Sequence, residues 1–191
     1  MADFYLGWYY TNVYMSLTQD EKDHNARLAM AFLLRQGFTR ESAAAIVGNM
    51  WAESGLSPGQ WQGGTPYSGG YGLLQWTPYT LYSDWAVTDW ENNGPKQMER
   101  LMYEKANGLE FYRTAPWNMS FTEFSQSTQN TDFLTEVFVY SYLRPADPSA
   151  TMANRKYHAR YVYENITGGI GLPPWLLGWL KNRKRWWKPI C

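Results

Sequence analysis

The chain has 191 residues, which suits one domain of ordinary size, and its 17 basic and 17 acidic side chains cancel to a formal net charge of zero. Its single cysteine, Cys191, excludes an internal disulfide, and its two histidines cannot complete a Cys/His zinc site. We therefore expect a fold and a chemistry that need neither disulfides nor a cofactor.

The charge is unevenly distributed along the chain. Residues 181–191 contain five basic side chains and no acidic one, so residues 1–180 hold 12 basic against 17 acidic side chains, a net charge of −5. No segment contains the roughly 20 apolar residues of a membrane-spanning helix. The first 17 residues contain Asp3 and no lysine or arginine, so we expect no secretory signal peptide.

The spacing of apolar residues predicts a mostly helical domain. A capping box at Thr18 begins a first helix, and a second helix runs from Thr39 to about Glu53. Further helices are predicted at about 79–90, 95–106, 120–127, 131–143 and 149–166. We place an N-terminal extension at 1–17, the main domain at 18–169 and a tryptophan-rich basic tail at 170–191, because glycines and prolines follow the last helix.

The segment between Pro58 and Pro78 interrupts the helical pattern. It contains six glycines, too many for a helix, and predicts short hairpins or turns. The expected class is therefore α+β, mostly α, with a small glycine-rich β element beside the second helix. From Ser54 to Ser83 there is no acidic, basic or histidine side chain, while amide and aromatic side chains are frequent.

Glu53 is the candidate catalytic acid. A carboxyl at the C-terminal end of a helix, beside apolar neighbours, is biased toward the protonated form that acid-catalysed sugar cleavage requires. The neutral segment after it suits a polysaccharide, because amides bind hydroxyl and N-acetyl groups and rings stack on sugar faces. Asp84 and Asp89 are the next carboxylates and lie on a predicted helix, so we expect a mechanism with one carboxyl. The alternative is an ordinary surface glutamate at a helix end.

Several short motifs occur in an order that resembles the phage tail-associated lysozyme domain. They are Asn25, Gly37-Phe38-Thr39, Ala44-Ala45-Ile46, Gly48-Asn49-Met50, Glu53-Ser54, Pro58-Gly59, Trp61-Gln62, Gly70-Tyr71-Gly72-Leu73-Leu74-Gln75-Trp76 and Arg144-Pro145-Ala146-Asp147-Pro148. The resemblance covers about residues 18–169. This part of the chain is similar to the N-terminal domain of the tail-knob peptidoglycan hydrolase of short-tailed phages. More distantly, the Glu-Ser and Gly-Leu-Leu-Gln motifs are similar to those of goose-type lysozymes and lytic transglycosylases.

The resemblance implies a lysozyme-like fold with residues 18–169 as the catalytic domain. It implies that Glu53 is the catalytic acid and that Gln62, Tyr71, Gln75 and Trp76 bind the glycan. The implied reaction is cleavage of the β-1,4 bond between N-acetylmuramic acid and N-acetylglucosamine, which opens the cell wall locally for phage genome entry. Lytic transglycosylase activity is one alternative, and a non-catalytic wall-binding or structural virion component is another.

The resemblance also implies a location and partners. We expect a virion protein of the phage tail that acts at the bacterial cell wall, with peptidoglycan and other tail proteins as partners and no nucleic acid. Residues 172–191 join an apolar tryptophan block to a basic one, an order typical of an interfacial membrane anchor. Docking of this segment on the domain or on a neighbouring subunit is the alternative. The tail-knob enzymes also carry a zinc peptidase domain, which the resemblance does not cover, so peptide cleavage is not expected.

Overall fold

Seven α-helices contain most of the residues that a computed structural model of the chain describes, which are residues 8–11 and 16–166. They are α1 (Gln19–Arg35), α2 (Arg40–Ser54), α3 (Thr80–Ala86), α4 (Gly94–Asn107), α5 (Phe121–Gln126), α6 (Thr131–Phe138) and α7 (Pro148–Asn165). A 3₁₀ turn at Gln62–Gly64 precedes α3, and a π-helical turn at Val139–Leu143 continues α6. The mostly helical class predicted from the sequence is confirmed.

Side-chain caps fix the ends of the first two helices where the sequence predicts them. The carboxylate of Glu21 accepts a hydrogen bond from the backbone N–H of Thr18 at 2.8 Å, which completes the capping box of α1. Thr39 caps α2 through its hydroxyl. Gly55 ends α2 with a φ of 59°, a left-handed conformation that glycine adopts without strain. Glu53 therefore lies in the last turn of α2.

The glycine-rich segment forms turns in place of the small β element that the sequence predicts. Isolated antiparallel bridges join Trp61 to Tyr71 and Tyr71 to Trp76, and no strand forms among the described residues. The reason is that several residues of the segment have a positive φ, including Tyr67 and Gln75, and each of these turns the chain away from an extended path.

One predicted helix is shorter in the structure, and a second keeps its predicted range but changes its helical type. α3 ends at Ala86 because Val87 has a φ of 62°, so the predicted helix at 79–90 loses its last turn. The predicted helix at 131–143 ends in the π-helical turn, after which Arg144 has a φ of 49°. This change of direction brings the loop after α6 back toward the end of α2.

α2 is the central helix of the domain and packs against α1, α6 and α7. Its fully buried apolar side chains are Ala43, Ala44, Ala45, Ile46, Val47 and Met50. A helix that is apolar on most of its surface belongs in the centre of a core, where it has helical neighbours on several sides. Glu53 is thus carried on the central helix of the core.

α2 and α7 cross in close contact at Gly48. A Cβ atom at this position would lie 2.5 Å from the backbone N and Cα atoms of Ala159. Tyr163 contacts the first turn of α2 and Arg155 contacts its last turn, so the two helices run antiparallel. The crossing therefore fixes which turn of α7 lies beside Glu53.

We expect Gly48→Ala to lower the free energy of unfolding by about 1–3 kcal/mol, because the added methyl group overlaps backbone atoms that cannot rotate away. Chemical denaturation followed by circular dichroism measures this change. Gly48→Ala combined with Ala159→Gly is the control. We expect little recovery of stability, since this change removes the Cβ atom of Ala159 at 2.8 Å but leaves the closer overlaps with its backbone N and Cα atoms. Wild-type stability in Gly48→Ala would contradict a close crossing.

The described part of the N-terminal extension lies against the helical domain. Trp8 is buried in the core. The backbone N–H of Tyr9 donates to Oδ1 of Asn25 at 3.0 Å, and that of Thr11 donates to Oγ of Ser57 at 2.9 Å. The predicted tail at 170–191, with the membrane contact expected of residues 172–191, lies outside the described residues. No helix in the described ranges is long and apolar enough to cross a membrane.

Candidate active site

Glu53 lies at the edge of a cleft with a volume of about 780 Å³. The described lining of the cleft comes from the end of α2, the glycine-rich segment, the loop after the π-helical turn, and four residues near the N-terminus: Thr11, Ser16, Leu17 and Lys22. The Glu53 side chain is 18% exposed, so its carboxyl is accessible from the cleft but largely surrounded by protein. This is the environment in which a carboxyl can contact a bound substrate with little competition from water.

The end of α2 is attached to the surrounding loops by polar side chains. The hydroxyl of Ser54 donates to the backbone carbonyl oxygens of Met50 at 2.9 Å and Leu73 at 3.2 Å. Nδ2 of buried Asn25 donates to the carbonyl oxygen of Leu56 at 3.0 Å. These bonds hold the glycine-rich segment and the turn after α2 at fixed positions beside Glu53.

Arg155 on α7 forms an ion pair with Glu53. Its Nη2 donates to Oε1 of Glu53 at 2.6 Å, its Nη1 donates to Oδ1 of Asn49 at 3.0 Å, and its Nε donates to Oγ1 of Thr151 at 2.9 Å. The Arg155 side chain is only 5% exposed. Because three of its nitrogens are engaged, the guanidinium has one orientation, and it holds the carboxyl of Glu53 through a single oxygen.

The second carboxyl oxygen of Glu53 remains available. Oε2 accepts no hydrogen bond from any residue that the structure describes. A carboxyl anchored at Oε1 and open at Oε2 has a defined direction for proton exchange. The geometry therefore suits a proton donor or acceptor that faces the cleft.

Arg155 is a site residue that the motifs do not indicate, because it is 102 residues from Glu53 in the sequence. One signal does exist within α7. Arg155, Ala159 and Val162 share the buried face of this helix at i, i+4 and i+7 spacing, and all three are at most 4% exposed. An arginine on the apolar face of a helix needs a buried acidic or carbonyl partner, and Glu53 is the acid that supplies it.

Two of the four residues expected to bind the glycan line the cleft. Oε1 of Gln62 accepts a hydrogen bond from the backbone N–H of Gly70 at 2.8 Å. Nε2 of Gln75 donates to the carbonyl oxygens of Gln60 at 3.1 Å and Gly72 at 2.9 Å. Each amide is thus oriented by backbone contacts on one side, which leaves the amide nitrogen of Gln62 and the amide oxygen of Gln75 for a ligand.

The other two expected glycan-binding residues are buried and lie outside the described lining of this cleft. Tyr71 is 1% exposed, and its hydroxyl accepts a hydrogen bond from the backbone N–H of Asn92 at 2.6 Å. Trp76 is 4% exposed, and its Nε1 donates to Glu104 at 2.9 Å. Trp76 also borders a smaller cavity of about 110 Å³. In these positions, both rings pack beneath the glycine-rich segment and attach it to the core.

A buried network on α4 holds the back of the glycine-rich segment. Glu104 accepts hydrogen bonds from Trp76, from Nε of Arg100 at 2.7 Å and from the hydroxyl of Tyr142 at 2.5 Å. Burial raises the pKa of Glu104, while the hydrogen bonds from Tyr142 and Arg100 oppose the shift. Burial and the neighbouring Glu104 raise the pKa of Tyr142, so its hydroxyl stays protonated and remains a donor. The network fixes the segment whose opposite side lines the cleft.

Glu53 is the one carboxylate among the described residues that line the cleft. The other charged side chains of the lining are Lys22 and Arg144. Asp84 and Asp89, the next acids in the sequence, are exposed outside this lining. The arrangement gives the cleft one acid, two cations and a wall of neutral amide, hydroxyl and apolar groups.

Comparison with known proteins agrees with the resemblance inferred from the motifs. A family model described as phage tail lysozyme matches residues 24–166, a range that contains Glu53, Arg155 and the whole glycine-rich segment. Morphogenesis protein 1 of Bacillus phage B103 is 36% identical over 171 residues, which cover 84% of this chain and 44% of that protein. The chain thus spans less than half the length of this relative. The chain belongs to the phage tail lysozyme family.

Proposed function

We propose that the chain cleaves the glycan strands of bacterial peptidoglycan at the β-1,4 bond between N-acetylmuramic acid and N-acetylglucosamine. The observation that carries this proposal is a single carboxyl, Glu53, held by Arg155 at the edge of a cleft of about 780 Å³. Membership of the phage tail lysozyme family supports an enzyme of the lysozyme type. The neutral amides of Gln62 and Gln75 supply hydrogen-bonding groups for sugar hydroxyl and N-acetyl groups.

In the proposed reaction, the protonated form of Glu53 donates its proton from Oε2 to the glycosidic oxygen of the bond that breaks. The departing sugar leaves as an alcohol, and positive charge develops at the anomeric carbon of the other sugar. The proton transfer leaves a negative charge on Glu53. The guanidinium of Arg155, 2.6 Å from Oε1, stabilises that charge without having to move.

The attacking group comes from water or from the substrate itself. A retaining glycosidase needs a second carboxylate about 5–5.5 Å from the first, and an inverting one needs it about 6.5–9.5 Å away. The described lining of the cleft offers no second carboxylate. This supports a mechanism in which neutral groups or the substrate's N-acetyl group assist the attack. It also keeps lytic transglycosylase activity as an alternative, in which the sugar's own hydroxyl attacks.

The proposed biological role is local opening of the cell wall from the phage tail, so that the genome can enter. The family is one of phage tail lysozymes, which supports a virion protein. The proposed partners are peptidoglycan and other proteins of the phage tail. Contact of residues 172–191 with a membrane or another anionic surface remains a proposal from their tryptophan-rich and basic sequence.

Incubation of the wild-type chain with purified peptidoglycan tests the proposal. We expect the suspension to clear and soluble sugar-containing fragments to appear with time. Sedimentation of the chain with the peptidoglycan, measured in the same samples, separates binding from cleavage. Binding without any released fragment would contradict the proposal and support a wall-binding virion component.

A further inference from the structure

Lys22 differs from the other charged side chains of the cleft in that no described residue forms an ion pair with it. Glu53 is paired with Arg155, and Arg144 is paired with Glu110 at 3.0 Å. The ammonium of Lys22 forms no hydrogen bond or ion pair with any residue in the described ranges. Among the charged groups that line the cleft, Lys22 is therefore the one whose charge is free to attract a ligand.

Lys22 lies close to the catalytic end of the cleft. It follows Asp20 and Glu21 in the first turn of α1, and of these three charged residues Lys22 alone belongs to the described lining of the cleft. A Cβ atom on Gly55 would lie 3.9 Å from Cε of Lys22, so the lysine stem passes over the turn that ends α2. Gly55 is two residues from Glu53 and lines the same cleft. An anion bound by Lys22 would thus be attached to a sugar near the bond that breaks.

The neighbouring histidine shows that the charge of Lys22 acts in this region. His158 stacks on Trp51 with ring centroids 4.9 Å apart. Burial lowers the pKa of His158, and the positive charge of Lys22 lowers it further. This shift favours the neutral imidazole, which neither cancels the charge of Lys22 nor adds to it.

The proposed substrate carries anionic groups that a neutral glycan lacks. N-acetylmuramic acid has a lactyl group whose carboxyl is either free or joined to a peptide, and that peptide has carboxylates of its own. A polymer of N-acetylglucosamine has no carboxylate. A charge-assisted hydrogen bond from a partly buried ammonium to a carboxylate distinguishes these two kinds of glycan.

We propose that Lys22 is a specificity-determining residue that binds a carboxylate on the lactyl group or on the attached peptide, and so selects peptidoglycan over neutral glycans. This inference rests on the proposed function, because it requires the cleft to bind the glycan. It names a second group of the substrate, a carboxylate, that the cleft recognises in addition to the sugar rings.

Affinity measurements on chains that carry Glu53→Gln test the inference, because the glycan then stays intact. The probes are three soluble tetrasaccharides: a peptidoglycan fragment with its peptides, the same fragment after an amidase has exposed the lactyl carboxylates, and an N-acetylglucosamine tetramer. Tryptophan fluorescence or calorimetry gives each Kd. We expect Lys22→Gln to weaken binding of a carboxylate-bearing fragment about five- to tenfold and to leave the Kd of the neutral tetramer unchanged.

The two carboxylate sources give different results. Weaker binding of the amidase-treated fragment alone assigns the lactyl carboxylate, because that carboxyl is an uncharged amide while the peptide is attached. Weaker binding of the peptide-bearing fragment alone assigns a carboxylate of the peptide, and weaker binding of both shows that Lys22 accepts either one. Lys22→Arg should restore most of the affinity, and the effect of Lys22→Gln should decrease at high salt. Arg27→Gln is the matched control, since it removes a charge from an exposed position of α1 outside the described lining of the cleft.

Some outcomes would overturn the inference. They are an unchanged Kd for every glycan in Lys22→Gln, an equal loss for the neutral tetramer, or an equal effect of Arg27→Gln. Each of these leaves the proposed function in place as long as the peptidoglycan fragments bind. Absence of binding to any fragment would instead overturn the proposed function, and the inference with it.

Discussion

Glu53→Gln is expected to lower kcat for peptidoglycan cleavage about 10²- to 10⁴-fold, because glutamine keeps the shape of the side chain but has no carboxyl proton to donate. The amide oxygen of glutamine can still accept the hydrogen bond from Arg155, which preserves the orientation of the side chain. The rate of release of soluble fragments from peptidoglycan measures the effect. Circular dichroism of the variant should match that of the wild-type chain.

Asp84→Asn is the matched control for this prediction. Asp84 is an exposed acid on α3 and lies outside the described lining of the cleft, so the same loss of a carboxylate there should leave kcat unchanged. Near wild-type activity in Glu53→Gln would show that another group donates the proton. A large loss in Asp84→Asn would contradict the proposed mechanism with one carboxyl.

Arg155→Met is expected to lower both stability and activity. It removes the partner of a largely buried carboxylate and of Asn49, and breaking a buried ion pair costs about 3–5 kcal/mol in unfolding free energy. The Glu53 carboxyl also loses its fixed direction, for which we expect a fall in kcat of about 10²-fold. Denaturation curves and initial rates, both recorded below the unfolding transition, measure the two effects separately.

The role of Arg155 in positioning Glu53 is separated from its role in stability by a double-mutant cycle. We expect Arg155→Met to have little further effect on kcat in a chain that already carries Glu53→Gln, because the two side chains act together. Arg155→Lys should recover part of the activity, since one ammonium cannot reproduce three donors in a fork. Arg160→Met removes an exposed arginine of the same helix and should change stability by no more than about 1 kcal/mol. Additive losses in the cycle would contradict a positioning role.

Local signals in the sequence are enough to place Glu53. The capping residue Thr39 and the terminating Gly55 define α2 from both ends, and the structure confirms both. Capping signals depend on the backbone conformation of only a few neighbouring residues, so they can be identified from the sequence. Once both ends of a helix are identified, the residues of its last turn are known. The same holds for the helical class of the domain.

Long-range contacts explain what the sequence could not predict. The pairing of Arg155 with Glu53 depends on the close crossing of α2 and α7 at Gly48, and no local pattern specifies which two helices cross. Tyr71 and Trp76 illustrate a second difficulty. An aromatic residue in a glycine-rich segment has the same sequence signature whether it stacks on sugar or packs inward, and the buried partner Glu104 on α4 decides the matter for Trp76.

The small β element predicted for residues 58–78 does not form a strand in the described structure, for a related reason. A high glycine content indicates that a segment is not helical, but it does not distinguish a hairpin from a succession of turns. Positive φ angles at Tyr67 and Gln75, which glycine-based rules do not predict, make the segment a series of turns. The result is functionally useful, because turns place the backbone-bonded amides of Gln62 and Gln75 at the cleft.

Mass spectrometry of the fragments released from purified peptidoglycan tests glycan cleavage by Glu53 most directly. We expect the wild-type chain to release fragments that end at N-acetylmuramic acid, with reducing ends if water attacks and 1,6-anhydro ends if the sugar's own hydroxyl attacks. The same fragments should be absent from a digest with Glu53→Gln. Fragments cut only within the peptides, or identical sugar ends in both digests, would contradict the proposed function of this cleft.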